Sequence, residues 1–124
     1  MTRGTKIYIM NTVRNSVQLI GNVGKDVEFK TLDSGSSVAN FSLATNDFYK
    51  NKDDEKVQET QWHNIEAWGK TAELMNTMLV KGSQVLVKGK LISQSYDDKE
   101  GNKKYITKVK ASEFQVFDKK DVPF

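Results

Sequence analysis

The chain has 124 residues, a length suited to one domain with a core of its own, and it carries no cysteine and a single histidine, His63. Disulfides, thiolate metal sites and multi-histidine metal sites are therefore excluded, and no apolar run is long enough to span a bilayer. The net charge is +3, but between Lys81 and Lys110 eight lysines stand against three acids, a segment charge of +5 that points the C-terminal half towards a polyanion.

Residues 1–9 carry no motif and read as an extension or leader ahead of a natural start at Met10. They show no apolar segment with a cleavage site, so a cytoplasmic protein is expected. Residues 13–24 place Val13, Asn15, Val17, Leu19, Gly21 and Val23 on one parity and read as a long strand. Gly21 and Gly24 mark a bulge or a close backbone approach. Residues 27–32 continue this strand, and Asp33 to Ser37 form a turn cluster. Residues 38–49 form the second strand of a hairpin, with Ala39, Phe41 and Leu43 facing one way and Asn40, Ser42 and Asn46 the other. Residues 50–60 are polar and mixed in charge, an exposed loop or a protruding hairpin tip. The acid run Asp53-Asp54-Glu55 is flanked by lysines and reads as a solvated loop.

Residues 60–69 (TQWHNIEAWG) form the third strand, and its two faces differ in kind. His63, Ile65 and Ala67 suit a core. Trp62, Asn64, Glu66 and Trp68 combine two rigid indoles with two polar groups that resist unpartnered burial. A half-wet face of aromatic plates suits the stacking of flat ligands such as nucleobases. In the structural alternative, one tryptophan packs under a loop and the other covers a barrel end.

Residues 70–80 break the alternation. Ala72, Met75 and Leu79 recur at helical spacing, with Leu74 and Met78 beside them. The spacing predicts a helix opened by Lys70 or Thr71, with Gly82 as its C-cap and its methionines filling the core. Residues 83–96 return to strand: Val85, Val87 and Leu91 on one face, Lys88, Lys90, Gln94 and Tyr96 on the other. Asp97 to Asn102 form a turn, and residues 103–118 form the last strand, with Lys104, Lys108 and Lys110 on one parity. About five strands with one short helix between the third and fourth is the layout of an all-β OB-fold, a partly open Greek-key barrel.

Five stretches together resemble the bacterial single-stranded DNA-binding protein family: Val17 to Asp26 (VQLIGNVGKD), Val38 to Thr45 (VANFSLAT), Thr60 to His63 (TQWH), Trp68 to Lys70 (WGK) and Lys81 to Val85 (KGSQV). The resemblance runs over nearly the whole chain from Met10. It implies an OB-fold DNA-binding domain over residues 10–118 and a homotetramer that binds single-stranded DNA without sequence preference in replication, recombination and repair. It implies base stacking at Trp62, Trp68, Tyr96 and Tyr49. Parity agrees for the first three; Tyr49 would need a bulge near Asn46 and Asp47 to join them. Lys88, Lys90, Lys104 and Lys108 are candidate phosphate contacts, and His63 is implied to lie near a subunit contact. Residues 119–124 form a short tail in which Asp121, Val122, Pro123 and Phe124 match the family's acidic Pro-Phe tip, implied to dock replication and repair proteins. The family's long linker is nearly absent here, and Lys119-Lys120 stands where acids are usual. No cofactor, metal or catalysis is expected. The residues also leave open an RNA-binding module, a primosome-assembly protein and, less well, a nuclease that would need carboxylates clustered beside Glu66.

Overall fold

The structure, a computed structural model, describes residues 14–117; the expected leader (residues 1–9) and the tail with its Asp121–Phe124 tip lie outside the described residues. The elements in chain order are β1 (Val17–Val23), β2 (Glu28–Thr31), β3 (Ser37–Lys50), β4 (Lys56–Trp68), α1 (Gly69–Met78), β5 (Gln84–Asp97) and β6 (Lys103–Phe117). Strand β1 pairs with β5, β5 with β6, β6 with β4 and β4 with β3, and β3 returns to β1 through Asn22↔Ala44 and Val23↔Leu43. Five strands thus close into the expected barrel, with the helix between its third and fourth strands, while β2 lies outside the ring against β3.

The expected continuous first strand is broken. Residues 24–27 leave the sheet, and the segment resumes as β2, paired Glu28↔Asn40 to Thr31↔Ser37. At Gly21 the chains touch: a Cβ there would stand 2.2 Å from the Ala44 carbonyl oxygen. That is the close approach anticipated from the sequence, with no bulge.

Alternation decides the interior. Leu43, Ile65, Val23, Val85 and Val87 are fully buried, joined by Met75 from the helix. Each such side chain contributes about 1.5–3 kcal/mol relative to exposure. In β6 the alternation changes phase. Lys88 pairs with Glu113 but Gly89 with Ala111, so Ser112 is an extra residue. Val109 and Ala111 face the core before it, and Phe114 and Val116 pack there after it.

The helix departs from expectation at its end. It stops at Met78, and Leu79 is extended (φ −101°, ψ 136°) yet still reaches the core, so the helical spacing overshoots the helix. Gly82 (φ +91°) is not its cap; it serves the turn in which Ser83 N–H donates to the Val80 carbonyl at 3.0 Å. Met75 is a core residue as expected, whereas Met78 and Leu74 face solvent.

Two ribbons project from the barrel. The β3–β4 arm keeps continuous register from Val38↔Trp68 to Lys50↔Lys56. Its tip is residues 51–55, while residues 56–60, expected as loop or hairpin tip, are paired strand; the Asn51 side chain closes the tip, accepting from the Asp53 and Glu55 N–H groups at 2.9 and 3.0 Å. The β5–β6 arm ends in an equivalent turn around Asp98. A Gly21→Ala substitution sets a methyl against backbone that cannot yield without opening the β1–β3 closure. It should cost about 1–3 kcal/mol or more, read as a lower urea midpoint; an unchanged midpoint would contradict the closure described.

Candidate nucleic-acid interface

The outward parity of β4 carries Trp62, Asn64, Glu66 and Trp68, and their cross-strand partners on β3 are Ala44, Ser42, Asn40 and Val38. Trp62 is 63% exposed and Trp68 39%, so neither indole is a core side chain. Glu66 between them is only 5% exposed. Its carboxylate accepts from the Trp68 indole Nε1–H at 2.9 Å, from Lys108 Nζ at 3.2 Å and from Gln94 Nε2 at 3.4 Å. Donors from β4, β5 and β6 therefore meet on one acid, and the edge of the Trp68 ring is fixed by it. Burial pushes the Glu66 carboxyl up; donation from Trp68, the hydrogen bond and charge of Lys108, and the Gln94 amide outweigh it and hold the carboxyl below its ordinary range.

Across the parallel Glu66↔Lys110 pair, the same outward face continues over β6 and β5. Lys110 lies opposite Lys90, Lys108 opposite Ile92, and Lys104 opposite Tyr96, which is 53% exposed. Like charges placed directly opposite one another repel, so the Lys90–Lys110 pair is a place where an anion is stabilising. Lys88 lies in the same hollow as Lys90 and Lys110, with a loose surface contact to Glu113 at 3.8 Å. Among the described residues neither Lys90 nor Lys104 has an ion-pair partner. Lys108 differs from the other three candidate lysines, because its ammonium is engaged with Glu66 and its side chain is largely covered.

A groove of about 370 Å³ opens beside this face, lined by Lys25 and Lys108, by Asp26 and Glu28, and by Asn40 and Asn64 among others. It runs from the β1–β2 connection to Asn64, which lies between the two tryptophans on β4. Sequence reasoning missed Lys25 and the hub role of Glu66. The signal for the second was present: a carboxylate between two tryptophans on one strand face needs donors, and the lysine parity of the last strand supplies one.

Tyr49 is half-exposed, but no register shift turns it onto the tryptophan face. It pairs with Val57 and shares the parity of Leu43 and His63, while Phe48 holds the outward parity under Lys56 Nζ, 5.1 Å from the ring centroid. Both faces of the arm are open to solvent there. His63 is half-buried on the far side from the indoles and hydrogen-bonds Thr45 Oγ1 at 2.9 Å within its own chain. The carboxylates that a nuclease would need beside Glu66 are not its partners: among the described residues the groups that hydrogen-bond it are the donors Trp68, Gln94 and Lys108.

Residues 14–117 match the model of the single-strand binding protein family. The chain is 43% identical over 108 residues to single-stranded DNA-binding protein 1 of Chlorobaculum tepidum, covering 86% of this chain and 67% of that one. It is 42% identical over 107 residues to single-stranded DNA-binding protein 1 of Xylella fastidiosa, covering 86% and 79%. Among solved structures, the Plasmodium falciparum SSB complex with ssDNA superposes with a TM-score of 0.76 at 33% identity, covering 84% of this chain and 95% of that one.

Replacing Glu66 by Gln leaves a hydrogen-bonding shape but removes the charge that Lys108 faces. At neutral pH the variant should be less stable by about 1–3 kcal/mol. Because the folded carboxyl sits below its unfolded value, the unfolded chain takes up the proton first on acidification. The contribution is therefore present above the ordinary glutamate range of about 4.3 and fades as the pH falls through and below it. Melting curves of the two proteins should converge between pH 7 and pH 3; a gap independent of pH would contradict the charged hub.

Proposed function

The chain belongs to the single-strand binding protein family, and from that membership we propose that the tryptophan face binds single-stranded DNA without sequence preference. The observation that carries this reading is the pair of exposed indoles, Trp62 and Trp68, on one strand face, continued across the sheet by lysines and Tyr96. Every base has a π-face, so stacking on such plates is indifferent to sequence, and cations along the path supply affinity for phosphates. Duplex DNA hides its base faces and offers nothing to stack. The protein therefore covers and protects exposed single strands during replication, recombination and repair.

In this reading Trp62, Trp68 and Tyr96 are the stacking residues of the barrel face. Tyr49 serves a strand that passes round the edge of the β3–β4 arm. Lys88, Lys90 and Lys104 meet phosphates directly, joined by Lys110 and Lys25. Lys108 acts mainly by neutralising Glu66, which keeps a buried negative charge from repelling the backbone. The chemistry is binding throughout and uses no cofactor.

We further propose a homotetramer, with the half-buried His63 side of β4 turned towards a subunit contact. The Asp121–Phe124 ending is a docking tip for replication and repair proteins, an assignment resting on sequence resemblance alone. The location that follows from the DNA partner is the cytoplasm, at the nucleoid; no described helix is long and apolar enough to cross a membrane.

Titration with poly(dT) should quench tryptophan fluorescence as bases cover both indoles. Trp62→Ala should weaken binding about tenfold or more, within the roughly 1–3 kcal/mol of one stacked base. The affinity should fall with salt at a log–log slope of about −0.7 per phosphate neutralised. Unchanged affinity in the variant, or a flat salt response, would remove the face or the lysines from the reading. Sedimentation of the intact protein at micromolar concentration should give a tetramer that His63→Lys weakens; a monomer would overturn the assembly.

A further inference from the structure

Gly21 and Gly24 are both crowded, for different reasons. A methyl at Gly21 would strike the backbone of Ala44. A methyl at Gly24 would strike only a side chain: its Cβ would stand 2.4 Å from Cζ3 of Trp62, 3.0 Å from Cη2 and 3.5 Å from Cε3. These three atoms belong to the six-membered ring, the far end of the indole. Gly24 is not among the glycines with positive φ, so what it supplies is space, not a backbone conformation.

The backbone beneath the ring is held firmly. Gly24 N–H donates to the Ser42 carbonyl at 2.8 Å. Val23 N–H donates to the Ser83 carbonyl at 2.9 Å, and the Val23 carbonyl accepts from Gly82 N–H at 2.8 Å. Lys81 N–H donates to Asp26 Oδ1 at 2.9 Å and ties the following loop to the same turn. One end of the Trp62 ring thus rests on fixed main chain, while most of the side chain stays open.

We infer that Gly24 is a positioning residue for Trp62. It admits the indole against the exit of β1 and sets the place of the ring on the binding face, so that a nucleobase meets a plate already in position. Ordering the ring before binding lowers what association costs. An alanine here is accommodated by the ring swinging outward, because the methyl meets only the end of a side chain. The fold survives and the plate is lost. This inference rests on the single-stranded DNA reading, but the ring's displacement is measurable without DNA.

The test compares the wild type, Gly24→Ala, Trp62→Phe and the double variant. In Gly24→Ala the near-UV circular dichroism of the free protein should change in the tryptophan region, with the far-UV spectrum preserved. Affinity for poly(dT) should fall about five- to tenfold, the scale of one impaired stacking contact. A phenyl ring lacks the outer atoms that the methyl meets. Adding Gly24→Ala to Trp62→Phe should therefore change affinity by less than about twofold, the non-additivity expected of residues in contact. The inference is overturned by an unchanged near-UV spectrum, by no loss of affinity in Gly24→Ala, or by equal losses in both backgrounds. It is also overturned if the double variant fails to fold, because the glycine then serves the backbone. If the wild type does not bind poly(dT), the functional reading fails, and the near-UV comparison still decides whether Gly24 sets the ring.

Discussion

The carboxylate of Glu66 is the point on which the outer face depends. It lies where β4 meets β6, a parallel junction made through only Ile65↔Val109 and Glu66↔Lys110. Backbone pairing there is short, and side chains supply what it lacks. Lys108, Gln94 and the Trp68 indole bring three strands onto one acid. Hydrogen bonds to an ionised acceptor are the stronger kind, and a buried carboxylate without them would be costly. The same contacts that seal the junction fix the edge of an aromatic plate and cancel a charge that would repel phosphates. Architecture and proposed binding surface thus share their polar groups.

The barrel sorts its two parities into two tasks. Inward residues such as Leu43, Ile65, Val85 and Val87 close the core with the help of Met75. Outward residues of β4, β5 and β6 form a belt of indoles, lysines and a tyrosine. The extra Ser112 in β6 lets the strand bend round the barrel end while Phe114 and Val116 recover the core side. Close glycines do complementary work: Gly21 lets β1 meet β3, Gly89 lets β5 approach the Lys110 carbonyl, and Gly24 makes room for the Trp62 ring.

Much of this was legible in the sequence, because period-2 alternation is a strong signal and the odd chemistry of residues 60–69 stood out against it. The barrel layout follows from the order of elements, the helix from the break in alternation at residues 70–80, and the outward parities of Trp62, Trp68 and Tyr96 from alternation within their own strands. What escaped depended on tertiary geometry. The break at residues 24–27 is marked in the sequence only by Gly24, which reads equally as a bulge or close approach, so β1 and β2 read as one strand. Leu79 keeps helical spacing although it is extended, and Gly82 lies near enough to resemble a cap. Lys108 looked like its neighbours, since only the fold shows it engaged with Glu66. Resemblance assigned Tyr49 to the stacking set, while the uninterrupted register puts it on the other side of the arm from Trp62.

In the proposed binding mode both indoles are plates held in place before DNA arrives, with Trp68 secured by Glu66. Its most direct test is a nuclear magnetic resonance titration of the indole signals with a thymidine oligomer. The Trp68 Nε1–H should exchange slowly with solvent in the free protein, as a donor to a buried carboxylate. The ring protons of both Trp62 and Trp68 should also move upfield under stacked bases. A bound oligomer that leaves both rings unshifted, or a Trp68 indole proton that exchanges as freely as one in open solvent, would contradict it.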